Sequence, residues 1–157
     1  MKNVEIRGSY ISGLPTNKNE FDVYKVTFDN EFLKIEKIYL FKPKTPEIYK
    51  IDISKIISVE LVNETNIESK NKSVIGRGIT GGLLFGPAGL ILGGLSGTGT
   101  KSKTVIKEIL NVSYYGINEN DIKTILFDVS NTILGKNKFI NEFKKENKTN
   151  EIGEIIL

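Results

Sequence analysis

The residues whose spacing most suggests chemistry lie in a glycine-rich stretch in the middle of the 157-residue chain. Gly76-Arg77-Gly78-Ile79-Thr80-Gly81 has the G-x-G-x-x-G spacing at which bare backbone can approach a dinucleotide pyrophosphate. Its surroundings contradict that reading. No apolar strand leads into it, and no Asp or Glu stands about twenty residues further on to hold a ribose. Gly97-Thr98-Gly99-Thr100-Lys101-Ser102 has the look of a phosphate loop, yet Thr100 occupies the place before Lys101 where glycine is needed. A strand pattern, not a helix, follows it. Both matches come from glycine density, and neither predicts a nucleotide site.

The remaining catalytic inventory is thin. The chain has no histidine and no cysteine, which removes imidazole bases, thiol nucleophiles, disulfides and thiolate or imidazole metal sites. Carboxylate chemistry and an oxygen-ligand site for a hard cation stay open. Asp22 with Asp29, and Asp121 with Asp128, are the pairs to consider. Each falls at a strand end or turn, where a solvated aspartate is expected, and spacing singles out neither pair. The expectation is a protein that is not an enzyme and takes no cofactor. A carboxylate- and metal-dependent enzyme is the distant alternative. The net charge of +3 is mild, and lysines alternate with acids almost throughout, so no specific nucleic-acid surface is predicted.

Glycine spacing points instead to packing. From Gly78 to Thr100 no residue is charged. Gly78, Gly82 and Gly86 form one four-residue register, and Gly89, Gly93 and Gly97 form a second. At 3.6 residues per turn each register lies on one helix face. A face without side chains lets two backbones approach closely and gain dispersion contacts. Gly86-Pro87 separates the registers, with Pro87 where a second helix would start. The spacing therefore predicts a glycine-zipper helical hairpin over residues 74–97. Each helical glycine costs about 0.5–1 kcal/mol relative to alanine, so close packing has to offset several kcal/mol. The arms can seal on each other, on a neighbouring chain, or in lipid. Leu83, Leu84, Leu90 and Ile91 flank the seam, and one small hairpin hardly hides both. Each arm would span about 15 Å, half a bilayer core, which makes a re-entrant or interfacial hairpin the better membrane version. Lys70, Lys72 and Arg77 precede the hairpin while Lys101 and Lys103 follow it. Folded back, these ends form a basic collar suited to anionic headgroups.

The flanking segments must position this hairpin, and they read as strands. Phe21–Phe28 and Glu31–Leu40 flank Asp29-Asn30, a two-residue hairpin signal in which both residues tolerate positive φ. Glu47–Asp52 and Lys55–Val62 follow Pro43 and Pro46, with Ile57, Val59 and Leu61 alternating towards one face. Residues 63–73 are polar and aperiodic. Thr104–Tyr115 and Ile122–Val129 resume the strand pattern, the latter with Ile125, Phe127 and Val129 on one side. Ser130 or Asn131 is the expected cap of a last helix reaching about Glu146. Ile133, Leu134, Phe139, Ile140 and Phe143 form its expected buried stripe.

This order of strands, polar loop, zipper hairpin, two strands and amphipathic helix resembles the bacterial PH-like (GRAM-like) domains. The stretches carrying the likeness are Val26-Thr27-Phe28-Asp29-Asn30-Glu31-Phe32-Leu33, Ile53-Ser54-Lys55-Ile56-Ile57-Ser58-Val59-Glu60, and Ile125-Leu126-Phe127-Asp128 leading into the helix. The insert also looks like those of small bacterial and phage-borne proteins. The resemblance implies an α+β, mostly β fold: a bent barrel of about seven strands with a C-terminal helix. Residues 1–63 and 103–157 would form one domain, interrupted by the loop and hairpin at 64–102. It implies a non-enzymatic scaffold for lipids, peptides or proteins, with no site residues that transfer. The favoured expectation is a binding and assembly module whose hairpin mediates self-association or docks a partner protein. A peripheral membrane protein whose hairpin enters an anionic bilayer is the alternative. After Met1-Lys2 the first twenty residues hold no apolar run, so a cytoplasmic location is expected, with membrane association as the second case.

Overall fold

The computed structural model describes residues 4–15, 22–41, 43–63 and 106–151, the last four as backbone only. Among these residues seven antiparallel strands form one sheet in the order β4-β3-β2-β1-β7-β6-β5. They are β1 (Glu5–Ser12), β2 (Val23–Phe28), β3 (Phe32–Lys37), β4 (Ile48–Asp52), β5 (Ile56–Val62), β6 (Ile109–Tyr115) and β7 (Ile122–Asp128). One helix, α1 (Lys136–Glu151), follows them. The sheet is open: β4 and β5 are its two edges, joined in sequence by a single 3₁₀ turn, Ile53–Lys55.

Alternation along the strands sends Ile6 and Tyr10, Tyr24 and Val26, Leu33 and Ile35, Leu110 and Val112, and Ile125 and Phe127 into one core. Tyr24 lies at its centre, with ring centroids 6.0 Å from Tyr10 and 5.7 Å from Phe127. Burial raises the Tyr24 hydroxyl above its usual pKa, and nearby Glu47, 3.3 Å away, raises it further. Gly8 makes room for this cluster. A Cβ there would stand 2.8 Å from the Phe127 Cβ.

The helix closes the core. Phe139, Ile140 and Phe143 are buried, spaced to share a helix face, and α1 packs on β5 and β1. Phe28 meets Phe139 and Phe143 edge-on, at centroid distances of 5.3 and 5.2 Å.

Three expectations are corrected here. The helix begins at Lys136, not near Ser130, because Gly135 adopts φ +87° and Ser130 is engaged elsewhere. Ile133 and Leu134 therefore precede the helix and stand exposed instead of joining its buried stripe. In the β2–β3 hairpin the loop residues are Asn30 and Glu31, since Phe28 still pairs with Leu33 and the Asp29 amide donates to the Phe32 carbonyl at 3.0 Å. Positive φ is not used there, because no described non-glycine residue adopts it. Instead the Asp29 carboxylate accepts the amides of Glu31 and Phe32, at 2.9 and 2.8 Å, and pairs with Lys34. On β5 the pairing with β6 slips between Ile56 and Ser58. That irregularity leaves Ile57 exposed while Val59 is buried, so the expected alternation holds only beyond it.

Two outcomes follow. Phe139→Ala should cost about 3–5 kcal/mol in chemical denaturation, whereas Ile133→Ala should stay within about 0.5 kcal/mol. Equal losses would mean that Ile133 is buried after all. The Lys34 contact, followed by the two amides, holds the Asp29 carboxyl well below the usual carboxylate range. Its contribution is therefore full above about pH 4 and fades as pH falls through the depressed folded-state value. The stability gap between wild type and Asp29→Asn should be widest near neutrality and narrow progressively in acid. A gap independent of pH would show that the charge is immaterial.

Candidate interaction site at the root of the glycine-rich segment

The functional residues expected from sequence are Gly78, Gly82, Gly86, Pro87, Gly89, Gly93 and Gly97, with Leu83, Leu84, Leu90 and Ile91. All of them lie outside the described residues, as do the collar residues Lys70, Lys72, Arg77, Lys101 and Lys103. The expected hairpin conformation falls there too. What the structure supplies is the frame to which this segment is attached.

The chain leaves the sheet at the end of β5 and returns at the start of β6, and these two ends are paired: Val62 lies opposite Ile109. Val62 and Ile109 are fully buried, as is Leu126 on β7. An antiparallel pair with a long insertion between its strands thus presents both stems of the insertion side by side, at the end of the sheet where β1 begins and β7 finishes.

A polar network fixes the stems. Glu108, one residue before β6, is its hub. The Asn63 side-chain amide donates to Glu108 Oε2 at 3.1 Å, linking the outgoing stem to the returning one. Lys136 Nζ lies 2.7 Å from Glu108 Oε1, and both side chains are about one-fifth exposed. Lys136 is the first residue of α1, where a cation opposes the helix dipole and the first turn holds no acid of its own. Glu108 provides the missing negative charge from another element.

Ser130 binds the same stem to the end of β7. Its Oγ accepts the amides of Lys107 and Glu108, at 2.8 and 3.2 Å, and donates to Asp128 Oδ1 at 2.6 Å. The Val129 amide donates to the Glu108 carbonyl at 3.1 Å. Ser130, expected as a helix cap, thus spends its hydroxyl on the stem. Asn63, Glu108, Asp128 and Lys136 were not marked as site residues by the sequence. The available signal was an acid, Glu108, in a run otherwise suited to a strand, and the Asp-x-Ser spacing of Asp128 and Ser130, which favours a side-chain-bonded turn.

The carboxylate pairs weighed for catalysis are not brought together. Asp121 and Asp128 flank β7 at its opposite ends, and Asp22 and Asp29 flank β2 in the same way. Each has a local partner. Asp22 pairs with Lys37 at 2.9 Å, Asp29 with Lys34, and Asp121 accepts the Ile117 amide at 3.1 Å. Among the described residues no three acids gather as a cation site, and no helix is long and apolar enough to cross a membrane.

Residues 16–140 match a protein family described as "Glycine zipper containing PH domain". The matched span takes in β2 through β7, the start of α1 and the whole glycine-rich stretch. Neither the curated proteins nor the solved structures provide a match.

Removing the Ser130 hydroxyl tests the network. Ser130→Ala leaves two partly exposed stem amides without their acceptor and should cost about 0.5–1.5 kcal/mol, with faster hydrogen exchange at Lys107 and Glu108. Unchanged exchange at those two amides would show that the stem is held by something else.

Proposed function

Because the chain belongs to the glycine zipper-containing PH domain family, we propose that it is a non-enzymatic assembly module in which the PH-like sheet holds the glycine-rich segment at one end for self-association or docking to a partner protein. PH-like domains are typically binding scaffolds, and the single observation carrying the reading is the anchoring of both stems. Val62 is paired with Ile109, Asn63 is tied to Glu108, and Glu108 is tied to α1 and to the end of β7. A segment needed only as a linker has no use for so firm a base. One whose partner must meet it in a defined orientation benefits, because pre-ordering the base reduces what association must order.

The glycine registers support the same reading. Two faces with glycine at every fourth position are complementary to each other and to copies of themselves, so the same surface serves both partners in a twofold pair. The uncharged run from Gly78 to Thr100 supplies the apolar flanks that such a contact would bury.

A second reading is favoured by one observation. Lys107 is exposed on the returning stem and continues the basic series of Lys101 and Lys103, as an anionic membrane surface would require. In this reading the segment enters the lipid interface at the collar.

Light scattering coupled to size exclusion separates the two. The wild-type protein should form a concentration-dependent oligomer, and Gly82→Leu with Gly93→Leu should return it to a monomer. A wild type that stays monomeric at high concentration, yet pellets with anionic liposomes in a glycine-dependent way, would replace assembly with membrane docking.

A further inference from the structure

The sheet has two faces, and the core accounts for only one of them. Val59, Leu110, Val112, Ile125 and Phe127 point into the core. Their neighbours along the strands point the other way and meet in cross-strand rungs: Val62 with Ile109, Glu60 with Asn111 and Leu126, and Ser58 with Ser113 and Thr124. This outer face is nonetheless dry. Val62, Ile109 and Leu126 are fully buried, Asn111 is 2% and Ser113 4% exposed, and the Ser58 hydroxyl is buried with them. Among the described residues, tyrosine aside, Asn111 and Ser113 are the buried polar residues, and both lie here. The outer face of β1–β4 is different. There Lys25 pairs with Glu36 and Arg7 with Glu5, at 3.1 and 2.8 Å, all partly exposed, and Val23 is 37% exposed. Solvated ion pairs mark that half as surface.

Neighbours within a sheet do not dry its face; a second layer has to lie on it. Among the described residues α1 is the element packed on the sheet, and its Phe139, Ile140 and Phe143 join the inner core. The burial is that of a single chain, so the cover belongs to the same chain. It also has a direction. Burial is complete at Val62 and Ile109, the rung from which residues 64–105 depart and to which they return, whereas Ile122 at the far end of β7 is 38% exposed. A cover spreading from the stems gives this gradient. Residues 16–21 join β1 to β2 instead, and residues 152–157 follow α1.

We infer that the outer face of β5, β6 and β7 is the seat of the chain's own residues 64–105, which fold back over it from the stems. The chemistry of the two sides agrees. The seat has an apolar centre in Val62, Ile109 and Leu126, hydroxyl and amide groups beyond it, and no cation. The segment carries no charge from Gly78 to Thr100, so it brings no ion that burial would strand. The inference goes beyond the assembly reading and does not need it: one side of the segment rests on its own sheet, whatever the opposite side meets.

The test uses the full chain, whose lack of cysteine makes an introduced thiol unique. Ser113→Cys should react with a maleimide at least about tenfold more slowly than Val23→Cys on the open half of the sheet. Equal rates in folded protein would mean that the outer face of β5–β7 is open, and would overturn the inference. A diazirine-bearing leucine analogue at Leu126, close to leucine in size, identifies the cover and keeps the test decisive if Ser113→Cys fails to fold. It is irradiated in a mixture of isotopically light and heavy chains. Cross-links should fall within residues 64–105 and stay inside one chain. Cross-links to residues 16–21 or 152–157, to a chain of the other isotope, or to water alone would each overturn the assignment. Cross-links inside 64–105 in a chain that light scattering shows to be monomeric would remove the assembly reading and uphold the inference.

Discussion

An open sheet with one apolar face cannot stand by itself, and this constraint organises the molecule. Among the described residues the edges β4 and β5 do not pair with each other, so the core on the sheet's apolar face has to be covered by another element. The plug is α1, through Phe139, Ile140 and Phe143, with Phe28 from β2 meeting the two rings edge-on. Removing the helix would expose that face to water at a cost set by the apolar area uncovered. The 3₁₀ turn between β4 and β5 has the complementary role. Asp52 caps it by accepting the Ser54 amide, at 2.9 Å, and the Ile53 amide donates to the Glu31 carbonyl, at 2.9 Å, so the change of strand direction is fixed where the sheet is open.

A plug must be held in register, and the stitching that achieves this is also what anchors the glycine-rich segment. The helix starts next to the end of β7, and the same few residues face the stems of the insertion. Lys136 answers Glu108, Ser130 serves the amides of Lys107 and Glu108, and Thr132 ties the loop to β1. Closing the core and fixing the insertion are therefore one structural task carried out by one network. The ion pair is partly exposed, so its strength lies less in Coulomb energy than in the hydrogen bonds that share the Glu108 carboxylate and backbone.

Six of the seven strands, all but β1, were legible because burial on one side imposes a period of two, and Ile125, Phe127 and Val129 follow it to the core. The C-terminal helix was legible from a different period, the three- to four-residue spacing of Phe139, Ile140 and Phe143. What escaped were places where a local choice depended on a distant partner. Ser130 has the chemistry of a cap, but its hydroxyl is taken by amides more than twenty residues away in sequence. Ile133 and Leu134 carry the right spacing for a helix stripe, yet Gly135 postpones the helix and strands them outside. In the β2–β3 hairpin, Asp-Asn suggested a positive-φ turn. Lys34 and two amides instead made Asp29 a side-chain acceptor, which shifted the loop by one residue. Glu108 became a hub for the same kind of reason, since nothing in its immediate sequence names Asn63 or Lys136 as partners.

On the proposed assembly reading, the glycine registers raise a physical problem, how to make association specific when glycine offers only backbone. A bare helix face gains contact from close approach but carries little information about which partner, or which rotation, is right. Large side chains placed at a fixed distance from such a face supply that information, because they clash or leave voids unless the partner arrives in one orientation. They do so at low entropic cost only if their own backbone is already ordered. The described frame meets this condition at the two stems, where Asn63, Glu108 and Ser130 hold the backbone. On that reading the work divides accordingly: the frame would set orientation, and the glycine-rich segment would supply close approach.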